Sequence, residues 1–469
     1  MSRNTYYHGV VTPERLAVGG PLASYSVIDR HTSPKVTDLL NLAHDYNLNK
    51  VWVAPGTTLS HCDPLVFKNA SPEEWDCRYT EIPANARRLA HMKRTVGWRV
   101  SGTFEEKRMI EIIFPEQTTW LWDESDPLTL LNAIQDMEAD LAIPIDSHPG
   151  SVGRELMKWA VHKDCQIVPS VDLSQLPCKC AKDFAWKRPI IEKGMYLHAY
   201  DKNSMYLSAA SGAGLGIGDP TYYYGYCTPD LNLAGLWRVD ASPHFTFDNS
   251  LTKPLVRSAK MLPWPLAEGQ EWVTTPILKC LGEMGARVTV IEGWQWPLTR
   301  RALGGTPKHS GWAEMIWALR AKYKADTSDV GRVKYNSMKR IATASIGLLG
   351  SDKNPALDKA WARPDWWSTI IETAKARILY NIDSFGREGH GWPCMVFIDA
   401  LFYVSDNPAP DPRFLERQHE LGGYKHQGMI QVDDDVRGWF ADEHMSAGDV
   451  VRLIHNREEE EKVAHASIR

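Results

Sequence analysis

Two aspartates stand in apolar surroundings where a carboxylate calls for a cation. The first belongs to Tyr200-Asp201-Lys202-Asn203-Ser204-Met205-Tyr206: Asp201 ends an apolar strand, and the turn that follows brings Ser204 and Tyr206 over the same spot. The second lies in Val396-Phe397-Ile398-Asp399-Ala400-Leu401-Phe402-Tyr403, read as an apolar strand interrupted by one carboxylate. A buried carboxylate is costly unless it is paired or binds a cation. Two of them on adjacent strands would make a hard-oxygen site suited to Mg²⁺. The competing reading is that each Asp only caps a turn.

Between the two aspartates lies a basic block. Residues 298–347 hold ten Lys and Arg (Arg300, Arg301, Lys308, Arg320, Lys322, Lys324, Arg332, Lys334, Lys339, Arg340) against Glu314, Asp326 and Asp329, a local excess of +7 in a chain of net charge -5. The pattern predicts two helices, over 311–324 and 329–347, joined by a polar turn at 325–328. Arg320 and Lys324 are four residues apart and share a helix face, and Lys339 can face them from the second helix. Cations so placed between two metal-binding strands are suited to a triphosphate held over two Mg²⁺ ions. A merely solvated basic face is the alternative.

The order of these segments resembles the polymerase core of family B DNA polymerases, including the protein-primed type. YDKNSMYLS is similar to motif A, D-x-x-S-L-Y-P-S, through Asp201, Ser204, Tyr206 and Ser208, with Met205 and Leu207 as variants. KRIATASIG is similar to motif B, K-x-x-x-N-S-x-Y-G, at Lys339 and Gly347, while Thr343, Ala344 and Ile346 replace its Asn, Ser and Tyr. VFIDALF is similar to motif C, Y-x-D-T-D-S, with Asp399 on its second Asp, Phe397 in place of the first and Ala400 in place of the Ser. Leu421-Gly422-Gly423-Tyr424-Lys425-His426 is similar to the Leu-Gly-x-x-Lys segment beyond motif C. The resemblance covers about residues 195–430.

It implies a multidomain α/β and α+β chain built as a right-hand polymerase. The expected parts are an exonuclease-like, RNase H-like domain over 1–190, palm over 191–300, fingers over 301–347, palm again over 348–404, and a small thumb over 405–469. The implied activity is two-metal transfer of dNTPs onto a 3′-OH or a protein primer. Asp201, Asp399 and the Lys202 backbone carbonyl would hold two Mg²⁺, with Mn²⁺ as a substitute. Arg320, Lys324, Lys339, Ser204 and Tyr206 would bind the nucleotide, Tyr206 beneath its sugar. Lys334, Arg340, Tyr424 and Lys425 would meet DNA. The implied partners are DNA, dNTPs and a terminal or primer protein, in a phage or other mobile replicon. A template-independent or protein-priming nucleotidyltransferase and a polymerase-like DNA- or telomere-binding protein without chemistry are the alternatives. The first strand is expected at VIDRHTS, where Asp29 has no Glu two residues on; Asp136-Met137-Glu138 has the D-x-E spacing but falls in a helix. An inactive nuclease domain is therefore expected.

The surrounding elements fit this plan. Strand, helix and strand are expected at ASYSVIDR, TDLLNLAHDYN and KVWVAP, further strands at MIEIIF and TTWLWD, and a helix at LTLLNAIQDM. Strands at MYLHAYD, GLWRVDA, EWVTT and RVTVIEGW, helices at PILKCLGEMG and PDWWSTIIETAKARILYNIDSF, and a hairpin at CMVFIDALFYV complete the core, before a charged terminal helix. Apolar residues at 43% and charged ones at 24% of 469 residues are ordinary for a globular chain. The N-terminus has no apolar h-region and no stretch could span a bilayer, so a cytoplasmic protein is expected. Eight cysteines are too dilute for a disulfide framework, and Cys178 and Cys180, a lone C-x-C with Cys165 upstream, read as free thiols rather than a zinc site.

Overall fold

A computed structural model describes residues 7–12, 15–19, 26–29, 39, 42–43, 46–57, 98–103, 108–113, 120–161, 173, 176–178, 184–189, 191, 195–242, 263–266, 269–305, 310–351, 362–389 and 391–467. They fall into two units, Met1–Ala160 with Glu314–Leu348, and Val161–Ala313 with Leu349–Arg469.

The first unit opens with β1 (His8–Val11), β2 (Arg15–Gly19), β3 (Ser26–Asp29), β4 (Lys50–Val53), β5 (Trp98–Thr103) and β6 (Arg108–Ile113), in the order β3-β2-β1-β4-β6-β5. β1 runs antiparallel to β2 and parallel to β4, which is parallel to β6. β1 and β4 are buried along their whole length, as the central strands of a mixed sheet are. The first strand is therefore HGVV, and VID belongs to the edge strand β3: the period-2 signal in β1 was too short to read. Helix α1 (Pro127–Leu141) begins where Asp126 accepts from the Thr129 N–H at 2.8 Å and Pro127 takes the first position, and it buries Leu130, Ile134, Met137 and Leu141. TTWLWD forms no strand over its described residues 120–123. Trp120 and Trp122 are buried by packing, their indole N–H groups donating to Ser147 O (3.1 Å) and Ser337 Oγ (2.7 Å). Helix α2 (Pro149–Ala160) follows. Of the helix expected at 37–47, residues 39, 42 and 43 are described, and they are helical.

The second unit starts with β7 (Ala185–Lys187), β8 (Tyr196–Lys202), α3 (Met205–Gly212), β9 (Leu215–Ile217) and β10 (Thr221–Tyr223). It continues with β11 (Gly235–Ser242), β12 (Trp272–Thr274), α4 (Thr275–Glu283), β13 (Arg287–Gln295) and β14 (Leu298–Arg300). An antiparallel sheet ordered β10-β13-β11-β12 and a β9–β14 ribbon result.

The basic block folds as expected into α5 (Trp312–Ala325) and α6 (Asp329–Leu349). Glu314–Leu348 belong to the first unit, where acids of and before α1 take up much of the charge. Lys322 Nζ reaches Asp140 at 2.7 Å, Lys334 Nζ reaches Asp136 at 2.8 Å, and Arg332 spans Asp123 and Glu124 at 2.9 Å each. Gly153 on α2 has no side chain to keep Ser345 of α6 away.

The chain then completes the second unit with α7 (Pro364–Arg387), β15 (Met395–Phe397), β16 (Ala400–Ser405), α8 (Pro412–Leu415), β17 (Tyr424–Gln431), α9 (Asp434–Ala441) and α10 (Ala447–Ser467). α7 buries Trp366, Ile370, Ala374, Ile378 and Ile382, one every four residues. At its start the fully buried Arg363 grips Asp365 at 2.6 and 2.9 Å and donates to Gly216 O at 2.7 Å. The sheet ordered β17-β8-β16-β15-β7 is antiparallel throughout. Strand alternation gives it two faces. Leu197, Ala199, Met395, Phe402 and Ile430 pack with Val436, Phe440, Val450 and Ile454 of α9 and α10. On the other face Tyr200, Tyr403 and Tyr424 meet Phe414 of α8, with ring centroids 4.3–6.2 Å apart. Among the described residues no helix is long and apolar enough to cross a membrane. Cys178, Cys227, Cys280 and Cys394 are thiols rather than halves of disulfides; Cys165 and Cys180 lie outside the described residues.

Candidate active site

The sheet brings the two aspartates together. Asp201 is the penultimate residue of β8, opposite Ala400 on β16 and Lys425 on β17. Asp399 occupies, with Ile398, the two-residue turn of the β15–β16 hairpin, rather than the strand interior expected from its apolar neighbours. Ile398 adopts a left-handed φ of 55°, which a β-branched residue tolerates only under tertiary constraint; its N–H donates to Phe184 O at 2.8 Å. The Lys202 N–H donates to Asp399 O at 2.9 Å and fixes the turn against the end of β8.

The carboxyl group of Asp399 stands close enough to that of Asp201 to feel its charge. Burial, then the Asp201 charge, pushes the Asp399 carboxyl up to about 7. Two carboxylates this close cannot both ionise without a counter-charge. Lys425 Nζ supplies part of it, 2.8 Å from Asp201 Oδ2. Among the described residues no group of three or more His, Cys, Asp or Glu could hold a metal ion. Two adjoining carboxylates nevertheless suit Mg²⁺, which keeps several waters and takes its other oxygens from phosphates.

Lys202 points to the opposite face and is buried. Its Nζ lies 4.6 Å from the centre of the Tyr424 ring, and the Asn381 carboxamide oxygen accepts from it at 2.6 Å in the amide orientation that satisfies all its neighbours. In that orientation Asn381 also accepts from the Tyr424 hydroxyl and donates to Arg377 O, both at 3.2 Å. Burial, then repulsion from Arg377 and Arg417, brings Lys202 down to about 8. Arg377 donates to Ser208 O at 2.6 Å, tying α7 to α3. The roles of Asn381 and Arg377 were not legible in the sequence. Their only signal is a four-residue spacing on one helix, which many structural pairs share.

The other expected residues are placed as follows. Ser204 precedes α3 in a left-handed conformation (φ 53°), and Tyr206 is half-buried in the first turn of α3. Tyr424 is buried in the aromatic cluster, while its neighbour Lys425 is half-exposed. Arg320, Lys324, Lys334, Lys339 and Arg340 belong to the first unit. Arg320 is buried over the Trp317 and Tyr335 rings and donates to the Tyr335 hydroxyl at 3.1 Å. Lys334 is held by Asp136 and Asp326, whereas Lys324 is exposed and Arg340 half-buried. Lys339, Thr343 and Gly347, spaced by four, form an exposed stripe on α6. Phe397, where the family pattern has an Asp, packs its ring on the α9–α10 cluster.

In the first unit β1 carries no carboxylate. His8 instead accepts from Trp52 Nε1 at 3.0 Å and lies 2.8 Å from Glu138, whose carboxylate also accepts from the Ile145 N–H. Asp136, the other member of the D-x-E spacing, is paired with Lys334.

The fold is similar to that of phi29 DNA polymerase. The structure of that enzyme with primer-template DNA and incoming nucleotides superposes with a TM-score of 0.51 at 10% identity, covering 91% of this chain and 86% of that one. Its primer-template binary complex gives a TM-score of 0.51 and its complex with single-stranded DNA one of 0.50, each covering 84% of that chain. No protein-family model matches the sequence, and neither does any curated protein sequence. The chain thus has a fold like that of phi29 DNA polymerase. Within it, the Asp201–Asp399 pair stands at the end of an antiparallel sheet.

Proposed function

We propose that the chain is a DNA polymerase of reduced family B type, joining dNTPs to a 3′-OH on DNA or on a protein primer. The observation that carries this reading is the juxtaposition of Asp201 and Asp399, set where β8 meets the β15–β16 turn in a chain with a polymerase-like fold. Asp201 and Asp399 would hold Mg²⁺, with the Lys202 carbonyl as a further ligand. The metal, when bound, stabilises charge on the reacting phosphate oxygens. This chain's own part is to position the groups and keep them fixed. Lys202 N–H holds the Asp399 turn, and Asn381 and Arg377 brace β8 and α3 from behind. Tyr206 is proposed to pack under the sugar, and Arg320, Lys324 and Lys339 to bind the triphosphate.

The order β3-β2-β1-β4-β6-β5 supports an RNase H-like N-terminal domain. The absence of a carboxylate on β1, with Glu138 and Asp136 both engaged, supports loss of its nuclease chemistry. The test of the function is primer extension by the purified full chain, with and without a template strand, in Mg²⁺ or Mn²⁺. Templated incorporation supports the proposal. Template-free extension would favour a terminal nucleotidyltransferase, and DNA binding without incorporation a polymerase-like binding protein.

A further inference from the structure

Helices α4 and α7 leave between them a cavity of ≈ 520 Å³, within the range that takes a small organic ligand. Lys279 and Glu283 line it from α4, and Thr373, Arg377 and Tyr380 from α7; the spacings of three and four put each set on one helix face. Leu231 closes one side. Neither Asp201 nor Asp399 lines it.

Three of these groups favour an anion. Arg377 uses Nη1 on Ser208, and its guanidinium lies over Gly212, where a Cβ would collide with it. Its burial and the neighbouring Arg301 both act against its charge, so a nearby anion would relieve it. Lys279 contributes a second cation from the facing helix. Thr373 Oγ1 is buried and has no hydrogen-bond partner among the described residues, which costs free energy until a ligand meets it. Glu283, the one acidic side chain among the lining residues, stands near the Tyr380 hydroxyl of the facing helix. The Tyr380 ring and Leu231 offer apolar walls beside the charged end.

We propose that this cavity binds a free phosphate-bearing molecule of mononucleotide size, its phosphate between Arg377 and Lys279 and within reach of Thr373. The inference goes beyond the polymerase reading and does not rest on it. Deoxyadenosine monophosphate is titrated calorimetrically into the full-length protein in EDTA, which suppresses metal-dependent nucleotide binding. One saturable site is expected, with no binding of deoxyadenosine. Lys279→Glu should weaken it at least tenfold, Thr373→Val should weaken it severalfold, and Thr373→Ser should restore it, with thermal melts unchanged. Absence of binding, equal binding of deoxyadenosine, or indifference to both Lys279→Glu and Thr373→Val would overturn the proposal.

Discussion

The backbone N–H of Lys202 donates to the carbonyl oxygen of Asp399 at 2.9 Å, across 197 residues of sequence. That bond sets the hairpin turn against the end of β8 and brings the Asp399 carboxyl onto that of Asp201. Burial, then the charge of Asp201, raises the Asp399 carboxyl to about 7.

This gives a pH signature. A carboxyl raised above its ordinary value contributes stability that is complete below that ordinary value, near 3.8, and is lost as pH rises through about 7. The metal-free protein should therefore melt at a lower temperature at pH 8 than at pH 6. Mg²⁺ binding must displace the Asp399 proton, so its affinity should rise with pH, by up to about tenfold per unit below 7. Thermal melts with and without Mg²⁺ at the two pH values check this; an equal Mg²⁺ shift at pH 6 and pH 8 would speak against a shared site.

Tyr206 is expected to exclude ribonucleotides. A ring beneath the sugar makes a 2′-OH both a clash and an unpaired polar group. Tyr206→Val should raise rNTP use relative to dNTP use at least tenfold with a modest loss of rate. Competition assays with matched nucleotide pairs measure the ratio, and an unchanged ratio would remove Tyr206 from the nucleotide site.

No 3′–5′ exonuclease activity is expected. β1 lacks a carboxylate, and Glu138 is held by His8 and the Ile145 N–H. A labelled single-stranded 3′ end should stay intact in Mg²⁺. Degradation abolished by Glu138→Gln or Asp136→Asn would reveal a nuclease site in the first unit.

Arg363→Met should destabilise the second unit by about 3–5 kcal/mol, because it leaves Asp365 buried without its partner. Exchanging both, Arg363→Met with Asp365→Leu, should recover much of the loss. Denaturant unfolding compares the two; equal losses would mean that the Gly216 carbonyl, rather than Asp365, depends on the arginine.

Elements with a strong local period were legible in sequence. α7 repeats an apolar residue every four positions, and α5 and α6 are separated by a polar turn, so both emerged nearly to the residue. Asp201 was legible too, as a carboxylate ending an apolar strand. The rest depends on pairings distant in sequence. The Ile398–Asp399 turn has no Asn-Gly or Gly signal, and tertiary constraint holds Ile398 at positive φ, so the segment read as a strand. Trp120 and Trp122 looked like strand residues because burial, not a ladder, makes them apolar. The positive excess of 298–347 overstated the free charge, since Lys322, Arg332 and Lys334 meet acids 182–209 positions upstream.

The central claim is tested most directly by the rate of templated dNTP incorporation in Mg²⁺ by the full chain and by its Asp201→Asn and Asp399→Asn variants, which keep size and hydrogen-bonding capacity. The account predicts extension by the unaltered chain and a loss of at least a thousandfold in each variant, with melting temperatures at or above that of the parent. Extension at near-parental rate by either variant would contradict it.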